Sequence, residues 1–339
     1  MKAAAALPLI DEVVLTMMTD DQSIGGITVV IPLHNKGSHI ERALDSVLAQ
    51  SLRPCSILVV DDASSDDGPK RVRGYCDPRV QLLTRDQPGP GGYAARNLAV
   101  ETATTRWIAF LDADDAWEPE HLADLVRAIL AAPNEPVLAC SAYVIRHPGR
   151  PQIVDKVSQH SEVTEDRHLD TAAFLSLWIR VQECPVWTSA ILARRDVLLE
   201  AGLFPAGRAR RGGDKYLWLS AALQGDVVIA PRFTAIYFKD AENMVTRADP
   251  SNLRHCLCDL IDEKAPAQPP VVRELLNRIK DMEIYNYSVR TLKRERLRRS
   301  TWRGFRVHRQ PAQAALLALG TFGPAFRLIH SMLRVTGRA

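Results

Sequence analysis

Three short apolar runs constrain this chain more than any other feature. Ile27-Thr28-Val29-Val30-Ile31-Pro32, Ser56-Ile57-Leu58-Val59-Val60 and Trp107-Ile108-Ala109-Phe110-Leu111 each have the length and apolar character of a buried strand. Between the first two, Ser38 to Gln50 places apolar residues at Ile40, Ala43, Leu44, Val47 and Leu48, which is helical spacing. Val80 to Leu83 reads as another strand, and a helix is expected from about Gly92 to Ala103. This β-α-β-α-β alternation predicts the α/β class, with a Rossmann-like, mostly parallel sheet covered by helices.

Each strand stops abruptly in polar residues: Pro32-Leu33-His34-Asn35, Asp61-Asp62 and Asp112-Ala113-Asp114-Asp115. In open parallel sheets ligands bind at the carboxyl ends of strands, so the three clusters are expected to converge. Asp112 and Asp114 lie two apart, so on extended chain they point the same way and repel unless a cation sits between them. Hard oxygen ligands suit Mg²⁺ or Mn²⁺ shared with substrate phosphates. The same residues also suit an acidic turn or a helix N-cap. Asp61-Asp62 fits an Asx-turn as well as a ligand for base or ribose. His34 could serve structure alone.

Beyond residue 120 the pattern is mixed. Helices are expected over Leu122–Leu130, Phe174–Trp178 and Lys215–Leu223. Strands are expected over Val137–Ile145, Thr188–Leu192, Val227–Ala230 and Ala235–Phe238. From about Asn252 the chain turns mainly helical, with Ala265 to Pro270 as a linker. The organisation is therefore a lead-in over 1–26, a domain over 27–250 with a nucleotide-binding half (27–120) and an acceptor half (121–250), and a helical C-terminal region over 251–339.

The net charge of +3 is too small to suggest nucleic acid, but nine Lys/Arg face one acid, Glu295, between Arg290 and Arg309. Apolar helical segments follow at Ala314–Leu319 and Ala325–Val335. Basic, aromatic and amphipathic character together suit an anionic membrane surface, or a subdomain packed on the rest of the chain. The charge comes with no nucleic-acid recognition module. The six cysteines lack paired zinc spacing and read as reduced. The apolar run after Met1-Lys2 ends at Asp11-Glu12 without a cleavage site, so no export signal is expected. No run reaches the ~18 uninterrupted apolar residues of a spanning helix.

Taken in order, Thr28–Asn35, Leu58–Gly68, Ala95–Val100 with Trp107–Trp117, and Gly212–Leu219 resemble a family 2 glycosyltransferase of the GT-A fold, over roughly residues 27–245. The resemblance implies transfer of a sugar from a nucleotide-diphosphate donor, by family habit UDP, to a glycan or lipid-linked acceptor in cell-surface polysaccharide synthesis. It implies a cytoplasmic enzyme, with peripheral contact to the cytoplasmic face of the membrane through 290–339. By resemblance, Pro32, His34, Asn35, Asp61, Asp62, Arg96, Asp112 and Ala113 hold the nucleotide sugar. Asp114, supported by Asp112, holds Mg²⁺ or Mn²⁺. Asp214 is similar in position to the catalytic base, which implies inversion in a single displacement.

Two departures stand out. Gly213 replaces the Glu of the family's Glu-Asp pair, and Lys239, Asp240 and Glu242 stand where relatives carry a His. The Gly213 departure also fits a catalytically degenerate sugar-nucleotide-binding protein. A sugar nucleotidyltransferase fits less well, because Pro32–Asn35 holds the place of its Gly-rich loop.

Overall fold

A computed structural model describes residues 24–160, 165–209, 211–240 and 254–327. The lead-in to residue 23, the stretch carrying Glu242, Asn243 and Thr246, and residues 328–339 lie outside the described residues.

The first half is built as the alternation requires. β1 (Ile27–Leu33) is followed by α1 (Gly37–Leu48), β2 (Ser56–Asp62), α2 (Gly68–Arg73), β3 (Val80–Arg85), α3 (Tyr93–Thr102) and β4 (Trp107–Phe110). β1 pairs in parallel with β2 and β4, and β2 with β3. Every residue of β4 is buried, and α1 buries the stripe Ile40, Ala43, Leu44 and Val47. Ile40, Leu44 and Val47 each contribute about 1.5–3 kcal/mol through burial. In register, Leu33 lies opposite Asp61 and Asp62 opposite Arg85, so the polar ends of three strands meet at one edge of the sheet.

The second half adds β5 (Ala116–Trp117), α4 (His121–Leu130), β6 (Leu138–Arg146), β7 (Ile153–Val154), α5 (Lys156–His160), β8 (Arg167–Leu169) and α6 (Thr171–Val181). After these come β9 (Ile191–Arg194), α7 (Arg195–Glu200), α8 (Gly213–Ala222) and β10 (Val227–Phe238). The sheet order is β3-β2-β1-β4-β9-β6-β10-β5, with β7 on β6 and β8 on β10. The expected strand over Thr188–Leu192 begins instead as a 3₁₀ turn, Thr188–Ala190, and β9 follows it. The two runs flanking Pro231 form a single strand. β10 stays paired with β6 across them through register shifts between Ala230 and Phe233 and between Phe233 and Ala235. Such irregularities let a strand carry a proline that donates no ladder bond.

The C-terminal region comprises α9 (Cys256–Lys264), α10 (Pro270–Leu292) and α11 (Pro311–Thr321). Residues 265–270 do not form a linker. Ala265–Ala267 is a 3₁₀ turn with Ala265 buried, and Pro270 opens α10 at a position where its missing N–H costs nothing. Leu257, Leu260, Ile261, Leu276 and Ile279 join the main core, while Ile284, Leu292, Leu297, Phe305 and Leu317 form a second one. The Lys215 ammonium on α8 lies 2.8 and 3.0 Å from the two Glu283 oxygens on α10. The segment over 254–292 therefore packs on the sheet-bearing part of the chain. All six cysteines are free, and among the described residues no helix is long and apolar enough to cross a membrane.

Candidate functional site

A cleft of about 450 Å³ opens at the edge where β1, β2 and β4 end. Pro32, His34, Asn35, Asp62, Arg96, Asp112, Ala113 and Asp114 all line it, together with Gly89, Gly91, Gly92, Lys36 and Tyr237. Of the expected donor residues only Asp61 is missing from its wall. Successive side chains on a strand point to opposite faces, so two adjacent carboxylates cannot both face one cleft. Asp61 turns to accept the Ser64 amide at 2.9 Å and closes the loop after β2.

Asp62 is held at the cleft by Arg85, with which it pairs, and by the Gly89 amide at 2.9 Å. The His34 ring contacts the Asp62 carbonyl at 2.7 Å through Nδ1. Asn35 has a φ of 51°, a left-handed conformation Asn tolerates, and its Oδ1 accepts the Ser65 amide at 2.8 Å. Gly92 has a φ of 65°, and a Cβ there would lie 3.2 Å from Arg96 and 3.4 Å from Pro32. Only glycine brings this loop so close to β1 without strain.

The acidic run is arranged by long-range partners. Asp112, Asp114 and Asp115 can each present an oxygen within 4.8 Å of the others. Arg96 pairs with Asp112 and also donates to the Gly91 carbonyl at 2.7 Å. Lys36 donates to Asp114 at 2.7 Å, and Arg42 binds the Asp114 carbonyl. Asp115 differs from the other two in being only 1 % exposed. It accepts the Ser189 hydroxyl at 2.8 Å and the Phe238 amide at 3.2 Å. Burial, then the charges of Asp112 and Asp114, hold its carboxyl well above the usual range. Ser189 also accepts the Asp112 amide at 3.1 Å. Asp115 thus anchors the loop, while Asp112 and Asp114 offer oxygens to the cleft. Hard carboxylates that mutually repel, with cations already drawn to them, fit a divalent ion.

Asp214 does not line the cleft. It lies in the first turn of α8, whose N-cap is Gly212. Tyr93 connects it to the cleft. The Tyr93 hydroxyl accepts the Gly213 amide at 2.9 Å. A Cβ at Gly213 would lie 2.7 Å from the Tyr93 ring, and one at Gly91 would lie 2.8 Å from it. Burial, then the Asp214 charge, raises the Tyr93 phenol. The glycine at 213 is thus what the Tyr93 ring leaves room for.

Lys36, Arg42, Arg85 and Tyr93 escape sequence reasoning, while Ser189 and Tyr237 fall in stretches that resemble the family without a role of their own. Lys36 carried one local signal, its place directly after His34-Asn35. The others reach the site only through tertiary pairing.

An α/β sheet whose parallel strands end at a cleft walled by carboxylates and cations puts a candidate ligand site where open α/β proteins carry theirs. Comparison makes this specific. Residues 28–184 match the model for Glycosyl transferase family 2. The succinoglycan biosynthesis protein ExoO of Rhizobium meliloti is 32% identical over 222 residues, which are 62% of this chain and 60% of that protein. The chain thus spans less than two thirds of that relative. The crystal structure of S. aureus TarS 1-349 in complex with UDP-GlcNAc superposes with a TM-score of 0.64 at 14% identity, covering 92% of both chains. The mannosyltransferase PcManGT from Pyrobaculum calidifontis, in complex with GDP-Man and Mn²⁺, gives a TM-score of 0.51 at 20% identity over 91% of this chain and 84% of that one. These structural likenesses are likenesses of fold. The chain carries a family 2 glycosyltransferase domain with the GT-A fold.

Proposed function

We propose that this chain transfers a sugar, with inversion, from a nucleotide-diphosphate sugar to a hydroxyl of a glycan or lipid-linked acceptor in cell-surface polysaccharide synthesis. The observation that carries the reading is the convergence of residues from three strand ends on one cleft with Asp112 and Asp114 in its wall. The likeness to a succinoglycan biosynthesis protein supports the polysaccharide context. UDP is the nucleotide the reading favours.

The cleft takes the nucleoside against Pro32, His34, Asn35 and Asp62. Arg96 and Lys36 offset phosphate charge. Asp112 and Asp114 would hold Mg²⁺ or Mn²⁺, which when bound supplies Lewis-acid stabilisation of the leaving diphosphate. Asp214 takes the acceptor's hydroxyl proton as that oxygen bonds to the sugar C1. The C1–O bond to phosphate breaks, its electron pair leaving with the nucleoside diphosphate. We read the enzyme as cytoplasmic, touching the cytoplasmic face of the membrane through its C-terminal region.

The test is release of nucleoside diphosphate from a panel of nucleotide sugars, with acceptor, with and without Mn²⁺. Asp114→Ala and Asp214→Ala should each abolish transfer, while Asp214→Ala keeps donor binding in a thermal-shift assay. Full transfer by either variant sinks that residue's assignment. Donor binding by the parent chain without turnover under any condition favours the binding-only reading.

A further inference from the structure

The second core of the C-terminal region leaves a groove of about 490 Å³ between residues 299–305 and α11. Its floor is Trp302, Phe305, Ala318 and Phe322, and its rim carries Arg299 and Arg303. Trp302 is fixed along α11, because its indole N–H donates to the Thr321 hydroxyl at 3.0 Å. Beside it the surface stays apolar: Phe322 is 63% exposed and Leu319 50%.

The arginines here fall into two kinds. Arg306 is turned inward, to Asp281 at 2.6 Å and Glu274 at 2.7 Å, and stabilises the second core. Arg299 and Arg303 are exposed, and among the described residues their guanidinium groups have no ion-pair or hydrogen-bond partner. Two cations over an apolar, aromatic floor match a ligand with an anionic head and a hydrocarbon body.

We propose that this groove seats an acidic phospholipid of a membrane surface, with the phosphate at Arg299 and Arg303 and the acyl chain against Trp302 and Phe322. The proposal rests on the peripheral-membrane part of the reading above and gives it a site.

The test is co-sedimentation of the full chain with vesicles of phosphatidylcholine alone and of an equal mixture with phosphatidylglycerol. Binding is expected only to the acidic vesicles and should weaken as salt rises. A basic residue near an anionic surface is worth about fivefold in partition, so Arg299→Gln/Arg303→Gln should lower binding roughly 25-fold. Phe322→Ser should lower it too, leaving its salt dependence unchanged. Donor binding in solution should be the same in both variants. Partition unchanged in either variant overturns the proposal. Tighter binding of single-stranded RNA, lost on the same substitutions, overturns the lipid assignment. Vesicle binding by a chain that binds no nucleotide sugar would remove the transferase reading and keep the groove. The reverse result would remove the groove alone.

Discussion

The Tyr93 phenol accepts the Gly213 amide at 2.9 Å, and its ring occupies the space a side chain at 213 would need. The missing Glu is therefore a packing consequence of one aromatic residue 120 positions upstream, and by itself it says nothing against catalysis.

Gly213→Ala should lower stability despite placing a better helix former in α8. The gain in helix propensity is up to about 1 kcal/mol, and overpacking against a fixed ring costs about 1–3 kcal/mol. In a Tyr93→Ser background the same substitution should cost less, the Pro205 ring at 3.1 Å from the added Cβ setting what remains. Thermal melts of the four proteins decide it, and a rise in Tm for Gly213→Ala alone would clear Tyr93 of the role.

Lys36 stands where it would compete with a metal ion for Asp114. Its ammonium lies 2.7 Å from the carboxylate that would coordinate the ion. A unit charge at such range in a partly solvated site is worth about 1–4 kcal/mol. Lys36→Met should therefore bind Mn²⁺ at least about fivefold more tightly without nucleotide, by the lower end of that range. The same variant should bind nucleoside diphosphate more weakly. Calorimetric titration of both ligands checks the two signs, and unchanged Mn²⁺ affinity would contradict the competition.

His121 ties stability to pH. Burial lowers its imidazole to about 3 from the ordinary 6.5, and the ring is stacked on Trp117 with Nδ1 2.8 Å from the Thr234 hydroxyl. The folded protein keeps this ring neutral, while the unfolded chain protonates it near 6.5. Its contribution is complete above that pH and is lost as pH falls toward 3, at up to about 1.4 kcal/mol per unit. His121→Asn should flatten urea-melt stability against pH by one proton in that window. A slope equal to the parent's would show that the ring protonates in place.

Lys215 and Glu283 join α8 to α10. Burial opposes both charges, yet each keeps the other ionised: the ammonium is raised and the carboxyl lowered. Lys215→Met strands a buried carboxylate and should cost about 3 kcal/mol or more. Adding Glu283→Met should restore most of it. A double variant as unstable as the single one would mean that packing, and not charge, holds the two helices.

The first half of the fold was legible because its signals are local. The runs at Ile27, Ser56 and Trp107 are apolar throughout, so they announce buried strands, and the strand ends then place Pro32, His34, Asp62 and Asp112. Asp61 was less legible, because sequence shows a pair of carboxylates where the pleat separates them. Pro231 made β10 read as two strands, since the pairing with β6 that carries the chain past it is not local. The roles of Ser189 and Tyr93 were not legible, because they depend on partners 74 and 120 residues away.

Those separations bear on how the protein is made. Asp115 is anchored by Ser189 and by Phe238, which lies 123 residues further along the chain. On a ribosome the first four strands can emerge and pair while the acidic loop still lacks both anchors. The part of the chain that bears the family's signature is then already synthesised, yet its carboxylates are not in position. Vectorial synthesis delays the assembled acidic site until β10 has closed against β6, so the nascent chain acquires its strand ends early and its finished carboxylate arrangement last.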